Sequence, residues 1–313
     1  MLKQTTSGKI NFSRKVSIVN PDAARKKWTR RKKLRKYLKK RLPGKIYEVA
    51  GAKQNTIELA KKLSSDHTVI VAVGGDGTVA DVIQGIIESR REKDVLLGII
   101  PLGSGNAFRK SLRIPKNVKK AAKVLNEGET KEIDLIEVEG KPAGFVSIGA
   151  TAQVTQKKLE HRIQGLIGHL LAGRILFTLQ KKEHEVELFD GINDDGVRFS
   201  KKILRLKFLD CVVGKTNYFG YSFKIAPKAM LDDSYLDITF FEIQGLKYLL
   251  YFPFIYFGLY QKTQRHYKAR KMIIKGEELP IQYNGEFLGV KDRVEVRVLP
   301  QALKIISPVK IKQ

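Results

Sequence analysis

The chain has 313 residues, 42% of them hydrophobic, and a single cysteine, Cys211. That length and apolar content allow two domains with buried cores, while one cysteine excludes an intrachain disulfide framework and points to a reducing compartment. Because 59 Lys and Arg oppose 32 Asp and Glu, the formal charge is +27, which favours an anionic partner such as a membrane surface, a nucleic acid or a polyphosphate.

Two kinds of membrane segment are not expected. The first 15 residues, MLKQTTSGKINFSRK, lack the apolar segment of a signal peptide. No run of 18 apolar residues is present, so we expect no transmembrane helix.

The N-terminal region combines a short strand with a strongly basic helix. VSIV at 16–19 reads as a strand that stops at Asn20, because the residue before a proline avoids helical geometry. A helix is predicted at 25–41, where 12 of 17 residues are Lys or Arg. We expect its apolar face to pack on a sheet; this face comprises Trp28, Leu34, Tyr37, Leu38 and Leu42. The charged face is typical of helices that meet anionic lipid or nucleic acid, at about 1 kcal/mol per basic residue near an anionic leaflet.

The segment VIVAVGGDGT at 69–78 organises the first half of the chain. Residues 69–73 are continuously apolar, as in a parallel strand buried on both faces, and a glycine turn and a helical pattern follow. This layout presents backbone N–H groups to a phosphate, and we expect its glycines to permit positive φ and close approach of the ligand. Asp76 would then lie beside a polyphosphate, which requires a divalent cation or a reacting hydroxyl between them.

A second strand of the same kind, predicted at 95–101, ends in another glycine-rich turn at 102–108. In an open parallel sheet both turns would lie at the C-terminal edge, where ligands bind. A strand at 46–49 and a helix at 56–63 precede these turns, and a helix at 116–126 follows them.

After Glu132 the pattern changes to strands separated by turn residues, which indicates a second, β-rich domain. A helical insertion is predicted at 156–180. The strands are predicted at 132–139, 143–149, 203–213, 221–227, 235–243, 271–275, 280–284, 293–299 and 302–306. The five histidines do not pair at ligand spacing, so no zinc site is expected.

The most apolar segment is LKYLLYFPFIYFGLY at 246–260. Pro253 and Gly258 interrupt it, and it is too short to span a bilayer. We expect a buried helix of the second domain. The alternative is an acyl-chain groove or an interfacial anchor beside the basic surface.

Five segments, in order, resemble the catalytic domain of the diacylglycerol kinase and sphingosine kinase family. They are VSIVNP at 16–21, GGDGT at 74–78, PLGSGNAF at 101–108, IAPKA with LDDSYLDI at 225–238, and YNGE at 283–286. GGDGT alone is only moderately specific, because NAD kinases and phosphofructokinases carry similar turns. The five segments together are specific and cover nearly the whole chain.

The resemblance implies an α/β N-terminal domain with a Rossmann-like parallel sheet, of the NAD kinase and lipid kinase type, and a C-terminal β-sandwich domain that accepts the lipid. The first domain would comprise residues 1–130, with the last strand at 300–313 packing back on it. The second would comprise residues 131–299, including the insertion.

The resemblance also implies ATP and Mg²⁺ as cofactors. The implied ATP-binding residues are Asn20, Gly74, Gly75, Asp76, Gly77, Thr78, Ser104, Gly105 and Asn106. The general base is the Glu of Asp-Gly-Glu in the bacterial lipid kinases, here Glu286, and the GGDG aspartate in the sphingosine kinases, here Asp76. We take Glu286 as the catalytic base and Asp76 as its catalytic partner and Mg²⁺ ligand. The alternative for Glu286 is a surface hairpin residue, since Asn-Gly is a type I′ turn signal by itself.

A structural Mg²⁺ loop of the bacterial members is matched by Asp233 through its side chain and by Met230 and Tyr235 through their carbonyls; the alternative is a plain turn. Five family positions are changed: Ser104 replaces Thr, Ala107 replaces Asp, Asn284 replaces the Asp of Asp-Gly-Glu, Ser234 replaces the Gly of Asp-Asp-Gly, and the Gly that follows Asn-Pro in the family is absent after Pro21. These changes bear on metal geometry more than on fold.

The predicted function is an ATP-dependent lipid kinase that phosphorylates a hydroxyl of a diacylglycerol-like or sphingoid lipid at a membrane surface. The predicted partners are the lipid substrate and an anionic membrane surface rather than nucleic acid, and a homodimer is left open. The expected location is the cytoplasm, with peripheral attachment to membrane. The alternatives are a NAD kinase-like phosphotransferase, or a catalytically impaired protein that binds anionic lipid or RNA.

Overall fold

The computed structural model describes residues 14–42, 44–103, 106–160, 179–219, 223–243, 246–259 and 264–309. The chain forms two compact units. The first unit comprises Met1–Ser104, Leu112–Ile133 and Ala302–Gln313, and the second comprises Gly105–Ser111 and Asp134–Gln301.

The described helices are α1 (Ala23–Arg30), α2 (Lys32–Lys39), α3 (Lys53–Ser64), α4 (Asp76–Glu88), α5 (Ala107–Ser111), α6 (Val118–Glu127), α7 (Ala150–Glu160) and α8 (Leu246–Phe257). The described strands are β1 (Lys15–Val19), β2 (Lys45–Glu48), β3 (Val69–Gly74), β4 (Leu96–Pro101), β5 (Glu129–Val138), β6 (Lys141–Ala143), β7 (Phe145–Gly149), β8 (Lys182–Asn193), β9 (Arg198–Phe208), β10 (Asp210–Gly214), β11 (Leu236–Phe241), β12 (Arg265–Tyr283) and β13 (Glu286–Ser307).

The first unit is built on a parallel sheet in the order β4–β3–β1–β2, and the end of β13 pairs parallel with β4. All residues of β3 and β4 are buried, as expected for strands covered on both faces. Helices α3 and α4 approach closely at Gly85, where a Cβ would lie 2.4 Å from the carbonyl oxygen of Ile57. The sequence predicts a parallel α/β unit, and the strands of the first unit do pair in parallel.

The basic segment differs in one respect from the prediction. It forms two helices, α1 and α2, with a break at Arg31, whose backbone is not helical (φ −97°, ψ 74°). Trp28, Leu38 and Leu42 are buried, so the expectation that the apolar face packs is confirmed. The Lys and Arg side chains described in α2 lie at the surface or partly so.

The second unit is antiparallel. Strands β11, β10, β7, β12 and β13 are hydrogen-bonded in that order, β11 also pairs with β12, and β8 and β9 form a hairpin beside β12. The five-strand group and the β8–β9 hairpin share one apolar core. Its buried side chains include Val146, Cys211, Ile238, Leu188, Met272 and Val294.

Several boundaries in this unit differ from the predictions. The β8–β9 hairpin begins at Lys182, well before the predicted strand at 203–213, which is divided between β9 and β10. The described part of the predicted strand at 221–227 contains only an isolated bridge between Phe219 and Phe223. Helix α7 begins earlier than the predicted insertion, whose residues 161–178 lie outside the described part of the chain.

Residues 105–111 belong to the second unit, whereas the prediction had placed them in the first domain. The physical reason is packing: the ring of Phe108 lies over Gly144, where a Cβ would be only 2.6 Å from the ring. The hydroxyl of Ser111 also accepts a hydrogen bond of 3.1 Å from the backbone N–H of Asn217.

Helix α8 contradicts the expectation that the most apolar segment is buried. Ile255 inserts into a small core with Phe145 and Ile225. Leu250, Phe254 and Phe257 instead expose between 51% and 64% of their surface. No helix in the described parts of the chain reaches the length and apolarity that crossing a bilayer requires.

One buried carboxyl gives the fold a pH dependence. Asp210, the first residue of β10, is 3% exposed, and Thr151 donates a hydrogen bond to its Oδ2 atom. Its Oδ1 atom is buried without a hydrogen-bond partner among the described residues. Burial raises the pKa of Asp210 from 3.8 to about 7, although the hydrogen bonds from Thr151 oppose this rise.

We expect the contribution of Asp210 to stability to fall as the pH rises, and the Asp210→Asn substitution to remove this contribution. The unfolded chain ionises Asp210 near pH 4, whereas the folded chain keeps it protonated until about pH 7. The contribution is therefore complete below about pH 4 and is lost by about pH 7, at a cost of about 4 kcal/mol. Urea unfolding at about pH 5 and about pH 8 measures the part of this loss that falls above pH 5, about 3 kcal/mol.

The exposed Asp195→Asn variant is the control for that experiment, since it removes a carboxyl from the same unit without changing a buried one. The Asp210→Asn variant should gain stability relative to the wild type at the higher pH. An equal difference between the two proteins at both pH values would contradict a raised pKa.

Candidate active site

The phosphate-binding turn predicted at 74–78 is a direct junction between β3 and α4. Strand β3 ends at Gly74, Gly75 is extended (φ −96°, ψ −169°), and α4 begins at Asp76. The first N–H groups of a helix have no partner within it, and here no side chain of the cap residue bonds them. The positive end of the α4 dipole therefore lies at the tip of β3.

The glycines of this turn serve a different purpose from the one predicted. Gly74, Gly75 and Gly77 are all outside the positive-φ region, so the expectation of left-handed backbone is wrong. A Cβ on Gly74 would lie 2.3 Å from the Thr78 hydroxyl, and a Cβ on Gly75 would lie 3.2 Å from the Cα of Gly103. These two glycines provide clearance within the turn.

Gly77 differs from its two neighbours. It is exposed, and a Cβ placed there would meet nothing within 4 Å. Neither its backbone nor its packing requires glycine, so the open space in front of it suits the close approach of a ligand.

The two glycine-rich turns meet at one edge of the parallel sheet, as expected. Gly74 pairs with Pro101, and the N–H groups of Leu102 and Gly103 both donate to the Gly74 carbonyl, at 2.8 and 3.2 Å. Asn20 joins the same edge, because its N–H donates to the carbonyl of Val73 at 3.2 Å. Ser104 and Gly105, also predicted to bind ATP, lie outside the described residues.

The side chains at this edge differ in how accessible they are. Asp76 is half-buried at the first position of α4. Thr78 is 5% exposed and lies over Gly74, so it shapes the turn. The Oδ1 atom of Asn20 accepts a 2.9 Å hydrogen bond from the N–H of Asp22, which leaves its amide nitrogen for other contacts.

The other predicted site residues belong to the second unit. Asn106, at the start of α5, is buried and has a positive φ of 54°. Glu286 pairs with Tyr283 across a two-residue turn whose central residues, Asn284 and Gly285, have φ of 47° and 88°. This is a type I′ hairpin, so Glu286 lies at a hairpin tip and is half-buried there.

Asn284 anchors this hairpin tip. Its Oδ1 atom accepts a 3.0 Å hydrogen bond from the N–H of Gly144, and its Nδ2 atom donates to the Pro142 carbonyl at 3.4 Å. An aspartate could accept the first of these bonds but could not donate the second. Since Phe108 also packs over Gly144, the segment after Asn106 and the Glu286 hairpin are fixed to the same part of the second unit.

In the predicted metal loop, Asp233 binds two lysine side chains from other segments. Asp233 Oδ1 lies 2.6 Å from the Lys215 Nζ atom, and Asp233 Oδ2 lies 2.6 Å from the Lys268 Nζ atom. The Tyr235 carbonyl accepts a 2.8 Å bond from the same Lys215 ammonium. Burial raises the pKa of Asp233, but the hydrogen bonds from Lys215 and Lys268 outweigh it and hold that pKa below its usual value.

These residues do not fit the predicted Mg²⁺ loop, because the Lys215 ammonium already contacts the Asp233 side chain and the Tyr235 carbonyl, two of the three predicted ligands. Across the described ranges, no group of three or more His, Cys, Asp or Glu side chains is arranged to hold a metal ion.

Two residues of the second unit were missed by the sequence reasoning. Lys215 is fully buried, and Asn217 donates from Nδ2 to the carbonyls of Ala226, Pro227 and Ala229, at 3.3, 3.2 and 2.7 Å. Asn217 thereby holds the IAPKA segment in place. The only signal was their position within three residues of the end of β10 at Gly214.

Two family models match the chain. Residues 14–138 match the diacylglycerol kinase catalytic domain, and residues 144–307 match the YegS C-terminal NAD kinase beta sandwich-like domain.

Similar proteins cover most of the chain. A diacylglycerol kinase of Staphylococcus saprophyticus is 28% identical over 77% of this chain and 80% of its own length, and one of Staphylococcus carnosus is 25% identical over 80% and 83%. A crystal structure of a diacylglycerol kinase from Bacillus anthracis has a TM-score of 0.70 at 20% identity, covering 96% of this chain and 99% of that one. Another solved structure from the same organism has a TM-score of 0.74 at 22% identity, covering 98% and 99%. These structures show that the fold is shared.

Proposed function

The chain belongs to the diacylglycerol kinase family of lipid kinases, and from this premise we propose that it transfers the γ-phosphoryl group of ATP to a hydroxyl of a diacylglycerol-like or sphingoid lipid at a membrane surface. One observation carries the proposal: two glycine turns adjoin at neighbouring strand tips, beside the first turn of α4. Phosphoryl transfer depends mainly on positioning and charge stabilisation, and that edge offers backbone N–H groups for both.

Asp76 is the proposed Mg²⁺ ligand. A half-exposed carboxylate at the first position of α4 suits a cation held directly or through water beside nucleotide phosphates. Such a cation, when bound, neutralises charge on the phosphate oxygens. Other residues shape the phosphate-binding turn: Thr78 and Gly103 keep the backbone in place, and Gly77 leaves room for the phosphates.

Glu286 is the proposed general base. It would accept the proton of the attacking lipid hydroxyl, the role that the Asp-Gly-Glu glutamate has in the resembling bacterial kinases. Its carboxylate is at the tip of a hairpin that Asn284 ties to Gly144, so the hairpin is held firmly in the second unit. Rigid support of this kind favours a positioned base.

Helix α8 supports a lipid-facing role for the second unit. Leu250, Phe254 and Phe257 lie at i, i+4 and i+7 and are all exposed, so they form one stripe on the helix. An exposed aromatic and aliphatic stripe on a protein of charge +27 suits the interface of an anionic membrane. A water-soluble acceptor such as NAD does not require such a stripe.

An acceptor comparison tests the proposal. The protein is incubated with γ-labelled ATP, Mg²⁺ and one of four acceptors: diacylglycerol micelles, sphingosine micelles, NAD, or none. We expect label in an organic-extractable product with at least one lipid. Label in NAD instead would favour the NAD kinase alternative, and no label with any acceptor would favour a binding protein without activity.

Membrane attachment should depend on the α8 stripe. We expect the double variant Phe254→Ser, Phe257→Ser to bind anionic vesicles at least about tenfold more weakly, because each phenyl ring contributes a few kcal/mol when it leaves water. Sedimentation with vesicles measures the partition. Binding of the wild type should also fall as salt rises from about 0.1 M to about 1 M, since the basic surface is then screened.

Ile203→Ser is the matched control for the vesicle experiment. It removes a large apolar side chain that is 58% exposed on β9, and it should leave vesicle binding unchanged. If it weakened binding as much as the double variant, a specific role for α8 would be excluded.

A further inference from the structure

A buried ammonium lies where three segments of the second unit meet. Lys215, directly after β10, has no exposed surface. Its Nζ atom is 2.9 Å from Asp134 Oδ2 in β5, and 2.6 Å from Asp233 Oδ1 and 2.8 Å from the Tyr235 carbonyl just before β11. An ammonium has three N–H groups, so these three acceptors match its full donor capacity.

Around Lys215, each negative charge has a positive partner and each carboxylate oxygen has a hydrogen-bond donor. Asp134 also accepts 2.7 and 2.9 Å bonds from the backbone N–H groups of Ser234 and Gln301, and Asp233 also binds Lys268. Two carboxylates thus face two ammonium groups, and each carboxylate oxygen has a donor. A buried ion pair is retained only when its remaining hydrogen bonds are made in this way.

A divalent cation has no place in this arrangement. Mg²⁺ requires about six oxygens near 2.0–2.1 Å in octahedral geometry. To bind Asp233 and the Tyr235 carbonyl it would have to displace Lys215, whose ammonium would then be buried without those partners. The surroundings of Asp233 are therefore complete with protein groups alone.

We propose that the Lys215 ammonium takes the place of a divalent cation in the 230–235 loop, so that the second unit holds this loop without metal. The ammonium is carried by the chain itself and links Asp134 of β5 to the segment that leads into β11. This inference concerns the folding of the second unit and does not depend on which acceptor the enzyme uses.

The first test measures thermal unfolding with and without metal. Full-length protein carrying Asp76→Asn is used without nucleotide, so that metal at the phosphate-binding turn does not contribute. We expect Tm in excess EDTA and in millimolar Mg²⁺ to agree within about 1 °C, because no metal supports the loop. A Tm that falls by several degrees in EDTA and returns with Mg²⁺ would overturn the proposal.

The second test removes the ammonium. Lys215→Met leaves the buried carboxylate of Asp134 and the partly buried carboxylate of Asp233 with one fewer counter-charge, and we expect Tm to fall by about 10 °C. Lys271→Met is the matched control, because Lys271 makes a partly exposed ion pair with Glu295, whose loss should change Tm by less than about 2 °C. An unchanged Tm in Lys215→Met would refute the role of the ammonium, and if that variant does not fold, the chelator comparison decides alone.

Discussion

Replacing Glu286 by Gln is expected to lower kcat by about 10²–10⁴-fold, the range in which a positioned general base contributes. The amide keeps the size of the side chain but cannot take the proton of the attacking hydroxyl. The fold should not change, because the hairpin is held by the Asn284 turn and its bonds to Gly144 and Pro142, which the substitution leaves intact. Steady-state kinetics with a lipid acceptor and saturating ATP measures the effect.

The KM for ATP separates a base from a structural residue. If Glu286 acts on the acceptor hydroxyl, KM for ATP should stay within about twofold while kcat falls. Glu277→Gln is the matched control, because Glu277 is exposed on the same hairpin, in the irregular part of β12. The Glu277→Gln enzyme should retain full activity. A Glu286→Gln enzyme with near-normal kcat would leave the hairpin-residue alternative as the correct one.

Replacing Asp76 by Asn is expected to lower activity by about 10²–10³-fold, because a metal-linked charge contact at the transferring phosphate is lost. Unlike the Glu286 variant, this one should also raise the concentration of Mg²⁺ needed for half-maximal rate. The N-terminus of α4 should persist, since Gly75 caps it without any side-chain bond. Rates measured across a Mg²⁺ series give both quantities.

Asp66→Asn provides the comparison for Asp76→Asn. Asp66 is an exposed carboxylate of the first unit, after α3, so its loss changes the net charge equally. Its Mg²⁺ dependence should match that of the wild type. Equal effects of the two substitutions would mean that net charge, and not a metal contact at the phosphate-binding turn, explains the result.

The parallel unit could be predicted well from sequence because its signals are local. Continuously apolar β3 and β4, each followed by glycines, required two covered strands with turns at one edge, and the structure pairs Gly74 with Pro101 there. The conformation of the glycines was not predictable in the same way. Whether glycine serves positive φ or steric clearance depends on what lies opposite it, such as Thr78 opposite Gly74.

The second unit was harder to predict from sequence, because its contacts join residues that are far apart along the chain. The 221–227 segment has strand-like composition, yet the Asn217 side chain binds the carbonyls of Ala226 and Pro227 in place of a neighbouring strand. The β8 strand was missed although Val186 and Leu188 alternate with Glu185 and Glu187, the pattern of a half-buried strand.

The exposure of α8 and the burial of Lys215 could not be predicted from one sequence. Apolar residues occur all round α8, so the pattern could not show that Ile255 would be covered while Phe254 stayed exposed. A lysine ordinarily indicates a surface position, and nothing near Lys215 in the sequence signals the carboxylate of Asp134, which meets it across the fold.

The position of the label in ATP tests the central claim most directly. The wild-type protein is given Mg²⁺, lipid micelles and ATP labelled either on the γ-phosphoryl group or on the α-phosphate, and the organic phase is counted. Transfer of the γ-phosphoryl group predicts lipid-extractable label from γ-labelled ATP and none from α-labelled ATP. No organic-phase label from γ-labelled ATP with diacylglycerol or sphingoid acceptors would contradict the account.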